Sequence, residues 1–368
     1  MEQIILEQDI INTYPEKNIK LSEDYIKYLK LKNENPNLGY KKLSKLMNEP
    51  IHRTRYWHHG NAIPQPVRTV NWLKEKGLLP LNSDNPNINL ITKIFGATFG
   101  DGGIFGNLNA IFISSSELEA VKEFGEDLKK LFGEEIEENF RIIEGGEYGH
   151  SWCYQNTNRN IIRFFMALGA PIGDKSFTSM LIPNWIKTEK IEDEFYGSLF
   201  GAEIGIPKVH INKKNLDSLS FGITGTEKFA ENRIRFLSQM ANYLNNKGIK
   251  TGTININEHK KVNRGGEPTK IYRLLISIEF DNVTNFMTLT KMNYCRYKKE
   301  KLANTMNEFS EIKRQRIKEM LELGYGLKSI LNLLNLSETS LEIIENYENF
   351  HAIYNDSVNQ YLVPEIFS

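Results

Sequence analysis

Cysteine is nearly absent: Cys153 and Cys295 are the only two among 368 residues. Two thiols cannot build a disulfide scaffold, and by themselves they cannot make a four-ligand zinc site. Histidine does not fill the gap. His58–His59 and the scattered His150, His210 and His259 show no metal-ligand spacing. Nowhere do roughly eighteen apolar residues follow one another, so no spanning helix is expected. The opening MEQIILEQDIINTYPEK lacks a basic stretch leading into an apolar one, so no signal peptide is expected and the cytosol is the expected compartment.

Net charge is also missing, with 46 basic residues against 46 acidic. The balance hides a segregation. Residues 90–204 hold 10 basic and 18 acidic side chains, whereas 205–301 hold 18 basic and 8 acidic. One block of each sign points to a polyanion-binding face better than the total does. The hydrophobic content of 40% is that of an ordinary globular protein long enough for several domains.

Residues 1–89 read as an N-terminal helical unit followed by a Pro/Asn-rich linker, LPLNSDNPNIN (79–89). Within it, short apolar-periodic segments break at NPNLG and at GNAIPQP, and Arg53, Arg55, Tyr56 and Trp57 cluster. That pattern resembles a helix-turn-helix DNA-binding unit. It equally suits a helical cap with Trp57 and Trp72 in its core. Residues 305–368 read as a helical, acidic segment with a similar short helix-turn-helix look, suited to packing or interaction.

Between these ends lies an internal repeat, 90–192 and 193–304. Each copy opens on a small-residue-rich segment ending in an acid, IFGATFGDG (94–102) and YGSLFGAEI (196–204). Strand-like segments follow, then an amphipathic helix (116–133 and 227–248), more strands, and a closing helix containing FMAL or FMTL. The expected fold class is α+β, two αββαββα-like halves related by approximate twofold symmetry.

Gly96 and Gly100 lie four apart on one helix face, matched by Ser198 and Ala202. Two such helices can cross in near-backbone contact and bring Asp101 and Glu203 together at their ends. Two carboxylates that close repel unless a cation lies between them, the arrangement of a two-metal phosphodiester site. Hard oxygen ligands favour Mg²⁺, with Mn²⁺ also suited, over Zn²⁺.

Both segments resemble the LAGLIDADG motif of homing endonucleases, in the single-chain two-repeat form, and the element order over roughly 90–303 is similar to that family's. The resemblance implies a saddle-shaped sheet over a long double-stranded DNA target, motif helices at the interface, a monomer, and metal-dependent double-strand cleavage. The family's acidic position falls on Asp101 and Glu203, which it implies as metal ligands and catalytic residues. Phe99, Ser198 and Ile204 depart from the motif. Those departures leave open a non-cleaving DNA-binding regulator or an RNA-splicing maturase on the same scaffold. The family also places a basic residue near the scissile phosphate. Lys175 and Lys208 are the candidates carried forward, with Lys298 and Lys301 considered beside them.

For DNA contact, the segment GIPKVHINKK alternates, turning Lys208, His210 and Asn212 away from Val209 and Ile211. Lys213 follows, and KIYRLLISI adds Lys270, Tyr272 and Arg273. The first copy offers Asn107, Asn109, Ser114, Arg141, His150 and Trp152, and the N-terminal unit offers Arg53 and Arg55. A solvated sheet face explains any one of these; the summed basic excess favours phosphate contact.

Overall fold

In a computed structural model the described residues are 2–350, apart from 147–148, 188, 211, 213–214, 263–264 and 347–349. The chain opens with strand β1 (Gln3–Ile5) and helix α1 (Glu7–Asn12). Their Ile5, Ile10 and Ile11 sink into the main core and not into a separate helical unit. Next come α2 (Glu16–Glu34), α3 (Tyr40–Met47), α4 (Ile51–His58) and α5 (Gln65–Glu75). Helices α2 to α4 enclose a small core of their own built on Tyr25, Tyr28, Leu43, Met47 and Trp57. Trp72 instead stacks on Phe132 of the main body, ring centres 5.5 Å apart, so the two tryptophans serve different cores. Strand β2 (Leu81–Asn82) pairs antiparallel with β1, tying the expected linker back to the N-terminus.

The body runs through α6 (Ile88–Phe99), β3 (Gly102–Ile104), β4 (Ile111–Ser115), α7 (Leu118–Phe132), β5 (Phe140–Gly146), β6 (Gly149–Asn156) and α8 (Arg159–Leu168). It continues through α9 (Glu189–Glu203), β7 (Ile204–Gly205), a small hairpin of β8 (Val209–His210) and β9 (Asn215–Leu216), and β10 (Leu219–Gly225). Then follow α10 (Ala230–Asn246), β11 (Thr251–Val262), β12 (Pro268–Ile276) and α11 (Phe280–Leu289). The hairpin apart, each half reads helix, two strands, helix, two strands, helix. The four-stranded sheets have the orders β3–β4–β6–β5 and β7–β10–β12–β11. In both, chain order is first, second, fourth, third, and every pairing is antiparallel.

Alternation assigns the sheet faces. In β10, Leu219 and Phe221 are buried while Ser220 and Gly222 are only partly so. On its partner β12, Tyr272, Leu274 and Ile276 are buried and Arg273 is exposed opposite Gly222. Helices α7 and α10 cover the apolar faces with Val121, Phe124 and Leu128, and with Phe236, Leu237 and Met240.

Helix α12 (Arg296–Glu322) runs straight across the boundary expected at 304. Its Leu302, Ala303, Met306 and Phe309 are buried in the main core, which is why the helix does not break there. Beyond it, α13 (Leu327–Leu334) and α14 (Glu338–Asn346) repeat the construction of α3 and α4. Both α3 and α13 are eight-residue helices stopped by an asparagine in the left-handed region, Asn48 at φ 54° and Asn335 at φ 52°. Asparagine tolerates that conformation best among residues carrying a Cβ. The charges differ: α4 carries Arg53 and Arg55, α14 carries Glu338, Glu342 and Glu345. Among the described residues no helix is long and apolar enough to cross a membrane.

Candidate active site

Helices α6 and α9 meet almost backbone to backbone. A Cβ built on Gly96 would lie 3.0 Å from the Phe195 Cα and closer still to the Phe195 carbonyl oxygen. One built on Gly100 would overlap the Ala202 Cβ and reach 3.7 Å from Glu203 Cγ. Side chains of any size at 96 or 100 would part the helices. On the next face of α9, Gly197 and Gly201 admit the strap that follows α11. The Asn293 amide donates to the Gly197 carbonyl at 3.0 Å, and its side-chain amide reaches Ser198 Oγ at 3.2 Å. Ser198 is therefore used by the strap, whereas the helix contact falls on the backbone at Phe195.

Each helix ends in its acid and passes directly into the first strand of its sheet. Asp101 stands between α6 and β3; Glu203 closes α9 before β7. Asp101 keeps an exposed surface yet is surrounded by protein, and burial raises its carboxyl above the usual range. Burial, and next the Asp101 charge, push Glu203 up to about 7. The pair thus resists double ionisation.

Two lysines answer the two acids. Lys175 Nζ donates to the carbonyl of Gly100, and Lys298 Nζ to that of Ala202, the residues immediately before Asp101 and Glu203. The electrostatics cross over: Lys298 is the leading cation acting on Asp101, and Lys175 on Glu203. Burial drives Lys175 down to about 8 against the pull of both carboxylates. Arg233 of α10 anchors the Lys175 turn. It is fully buried, donating to the carbonyls of Lys175, Thr178 (3.0 Å) and Thr224 (3.1 Å). Burial brings its guanidinium down to about 10. Sequence reading passed over Arg233, although an arginine in step with Phe236, Leu237 and Met240 on an apolar helix face was a visible signal.

Among the described residues no group of three or more His, Cys, Asp or Glu gathers as a metal cluster. Asp101 and Glu203 are the carboxylates that the helix ends offer to a divalent cation. Their mutual repulsion and hard oxygens suit such an ion, with water or a phosphate oxygen completing its shell.

Of the other sequence candidates, Lys208 is exposed, its backbone amide donating to Asp217 Oδ1 at 2.7 Å. It is not among the cations acting on the two carboxylates; Lys298 takes that place because α12 carries it there. Lys301 lies over its own helix's Tyr297 ring, 5.7 Å from the centre. His210 and Asn212 are exposed beside Lys208, off the main sheet, while Lys213 lies outside the described residues. Tyr272 is a correction: it is 0% exposed on the helix-covered face, with Arg233 as neighbour. Lys270 shares that strand parity and is ion-paired to Glu227 at 2.5 Å. Arg273 alone of the three faces the open side. Trp152 likewise packs toward the core, with His150 exposed. Arg141 is exposed on the open face of the first sheet, donating to Gln155 Oε1 at 3.0 and 2.8 Å. Asn107 and Asn109 border the same hollow, and Ser114 pairs with Cys153 in the sheet. In α4, Arg53 is held by Glu49 at 2.7 Å, while Arg55 is exposed.

No family model matches the sequence. The chain is 29% identical over 265 residues to the RNA polymerase subunit Rpo1N of Methanocaldococcus jannaschii, covering 68% of this chain and 19% of that protein. It is 29% identical over 246 residues to the tRNA-splicing ligase RtcB of Pyrococcus abyssi, covering 64% of this chain and 25% of that one. The chain thus spans about a fifth to a quarter of the length of these relatives. Among solved structures it is similar to variants of the homing endonuclease I-DmoI, at 14% identity and TM-score 0.34 over 58% of this chain and 96% of that one. A complex of the LAGLIDADG homing endonuclease I-GzeII with its DNA target gives 13% identity and TM-score 0.31, covering 70% and 96%.

Proposed function

We propose that this chain is a LAGLIDADG-type, metal-dependent endonuclease that cleaves both strands of a specific duplex DNA site as a monomer. The carrying observation is the pairing of Asp101 and Glu203 at the touching ends of α6 and α9, each beside a lysine bound to the preceding carbonyl. In this reading the halves 90–192 and 193–304 are pseudo-twofold copies, and their two sheets form one saddle over the DNA. Identical strand order in the two sheets supports that symmetry. The shared segment also supports it. Alignments covering 68% and 64% of one chain must overlap, yet they fall in proteins named for unrelated activities and make up a minor part of each. A mobile, self-sufficient module that carries neither named activity would account for its recurrence.

A bound Mg²⁺ or Mn²⁺ would supply Lewis-acid activation of water and phosphate. Asp101 and Glu203 would hold that ion at the helix ends. Lys175 and Lys298 supply positive charge where negative charge develops on phosphorus. Arg141 and Arg273, one on each open face, contact the backbone, and Arg55 on α4 contacts DNA beyond the saddle. Incubation of a randomised duplex library with the protein and Mg²⁺, followed by sequencing of the cut ends, tests this. One recurrent cut sequence is expected. Ends scattered at random, or none in either Mg²⁺ or Mn²⁺, would remove the endonuclease reading.

A further inference from the structure

A cleft of about 680 Å³ separates the N-terminal helices from the first half of the body. One wall is Asn107 and Asn109, on the loop between β3 and β4. Asn18 of α2, Gln65 of α5, and Arg159 and Arg163 of α8 also line it. Among the described residues no carboxylate lines it.

The two arginines do different things. Arg163 is committed to the fold, donating to the Thr13 carbonyl and lying 4.2 Å from the centre of the Tyr14 ring. Arg159 is exposed and has no ion pair or hydrogen bond among the described residues. A second guanidinium one helical turn from Arg163, with no acid facing either, leaves a local positive potential that the protein itself does not neutralise. The first turns of α5 and α8 border the same space and add to it.

The cleft adjoins the open face of the first sheet across the β3–β4 loop. Asn107 and Asn109 also line the hollow of about 470 Å³ that holds Arg141 and Gln155. A polyanion lying across Arg141 therefore passes over this loop and into the cleft. We propose that the cleft grips the phosphate backbone of duplex DNA flanking the target on the first-repeat side, with Arg159 as its phosphate contact and Asn18 and Gln65 as hydrogen-bond donors. This rests on the endonuclease reading for its occupant. It adds a clamp outside the saddle, and so a footprint longer on one side of the cut than on the other.

The test uses the full chain and a fluorescein-labelled 40-base-pair duplex, titrated at several salt concentrations. Arg159→Gln is expected to weaken binding severalfold and to flatten the slope of log affinity against log salt by roughly 0.9, one phosphate contact. Gln65→Glu, which places a negative charge in the cleft, is expected to weaken it further. Melting temperatures should stay near that of wild type, since Arg159 holds nothing in place. Wild-type slopes and affinities in both variants would overturn the clamp while leaving the endonuclease reading intact. Absence of salt-dependent binding by wild type would instead sink that reading. Loss of affinity in the variants for a double-stranded RNA of equal length, with DNA binding unchanged, would overturn the assignment to DNA.

Discussion

The guanidinium of Arg233, on a helix of the second half, donates to the backbone carbonyl of Lys175, at the close of the first. The same group reaches Thr178 and Thr224, so one buried cation fastens the Lys175 turn to the second sheet. Replacement by methionine keeps bulk and leaves three partly buried carbonyls without that donor. A loss of about 3 kcal/mol in urea unfolding is expected. Cleavage by the surviving folded fraction should be slower, with its pH profile displaced. An unchanged profile would reduce Arg233 to a purely structural part.

Gly96→Ala should destabilise the protein by about 1–3 kcal/mol, because the added methyl meets the Phe195 backbone, which cannot rotate away. Gly252→Ala is the control, since its Cβ meets only ordinary contacts at 3.6 and 3.7 Å. Paired denaturation curves decide; equal midpoints would mean that α6 and α9 are not packed at Gly96.

The paired titrations make a sign prediction for the metal-free protein. The Glu203 carboxyl, raised to about 7 from 4.5, stabilises the fold while protonated, and that contribution fades as pH climbs from 4.5 to 7. Lys175, lowered to about 8 from 10.5, costs stability while charged, and that cost lifts as pH rises from 8 to 10.5. A stability minimum near pH 7–8 is expected in EDTA, shallower in Glu203→Gln. Thermal melts across that range check it, and a maximum there would contradict the assignment.

Tyr272 shows where the sequence stopped being legible. In IYRLLISI, apolar residues occupy both parities, so alternation fixes two faces without saying which is covered. Assigning Lys270, Tyr272 and Arg273 together to the outside ignored that adjacent strand residues point oppositely. The basic excess of 205–301 was real, but part of it is spent on acids of the preceding block, Lys247 with Asp193 and Lys291 with Glu194. The small-residue faces and terminal acids of α6 and α9 were readable because they are local. The choice of Lys298 over Lys208 was not, since it depends on how α12 returns across the molecule. The membership of α1 in the main core was equally hidden, being set by contacts with α8 far along the chain.

Arg273 and Lys270 are therefore expected to part company in DNA binding. Arg273→Ala should flatten the salt slope by roughly 0.9, and Lys270→Ala should leave it unchanged. Titrations of a labelled duplex distinguish them, and the reverse result would turn the sheet over.

Lys175→Met and Lys298→Met should each slow cleavage by about 10²–10³-fold with DNA affinity nearly retained, as expected for groups that act on developing charge. On a plasmid carrying the site, either single change should let nicked circles accumulate. Wild-type rates in the double variant would remove both lysines from the chemistry.

The proposed joint holding of a cation by Asp101 and Glu203 is open to Mn²⁺ titration followed by electron paramagnetic resonance, which needs no known target site. Wild type should bind Mn²⁺ near neutral pH, and Asp101→Asn and Glu203→Gln should each bind far more weakly while melting no lower than wild type. Undiminished Mn²⁺ binding in both single variants would contradict it.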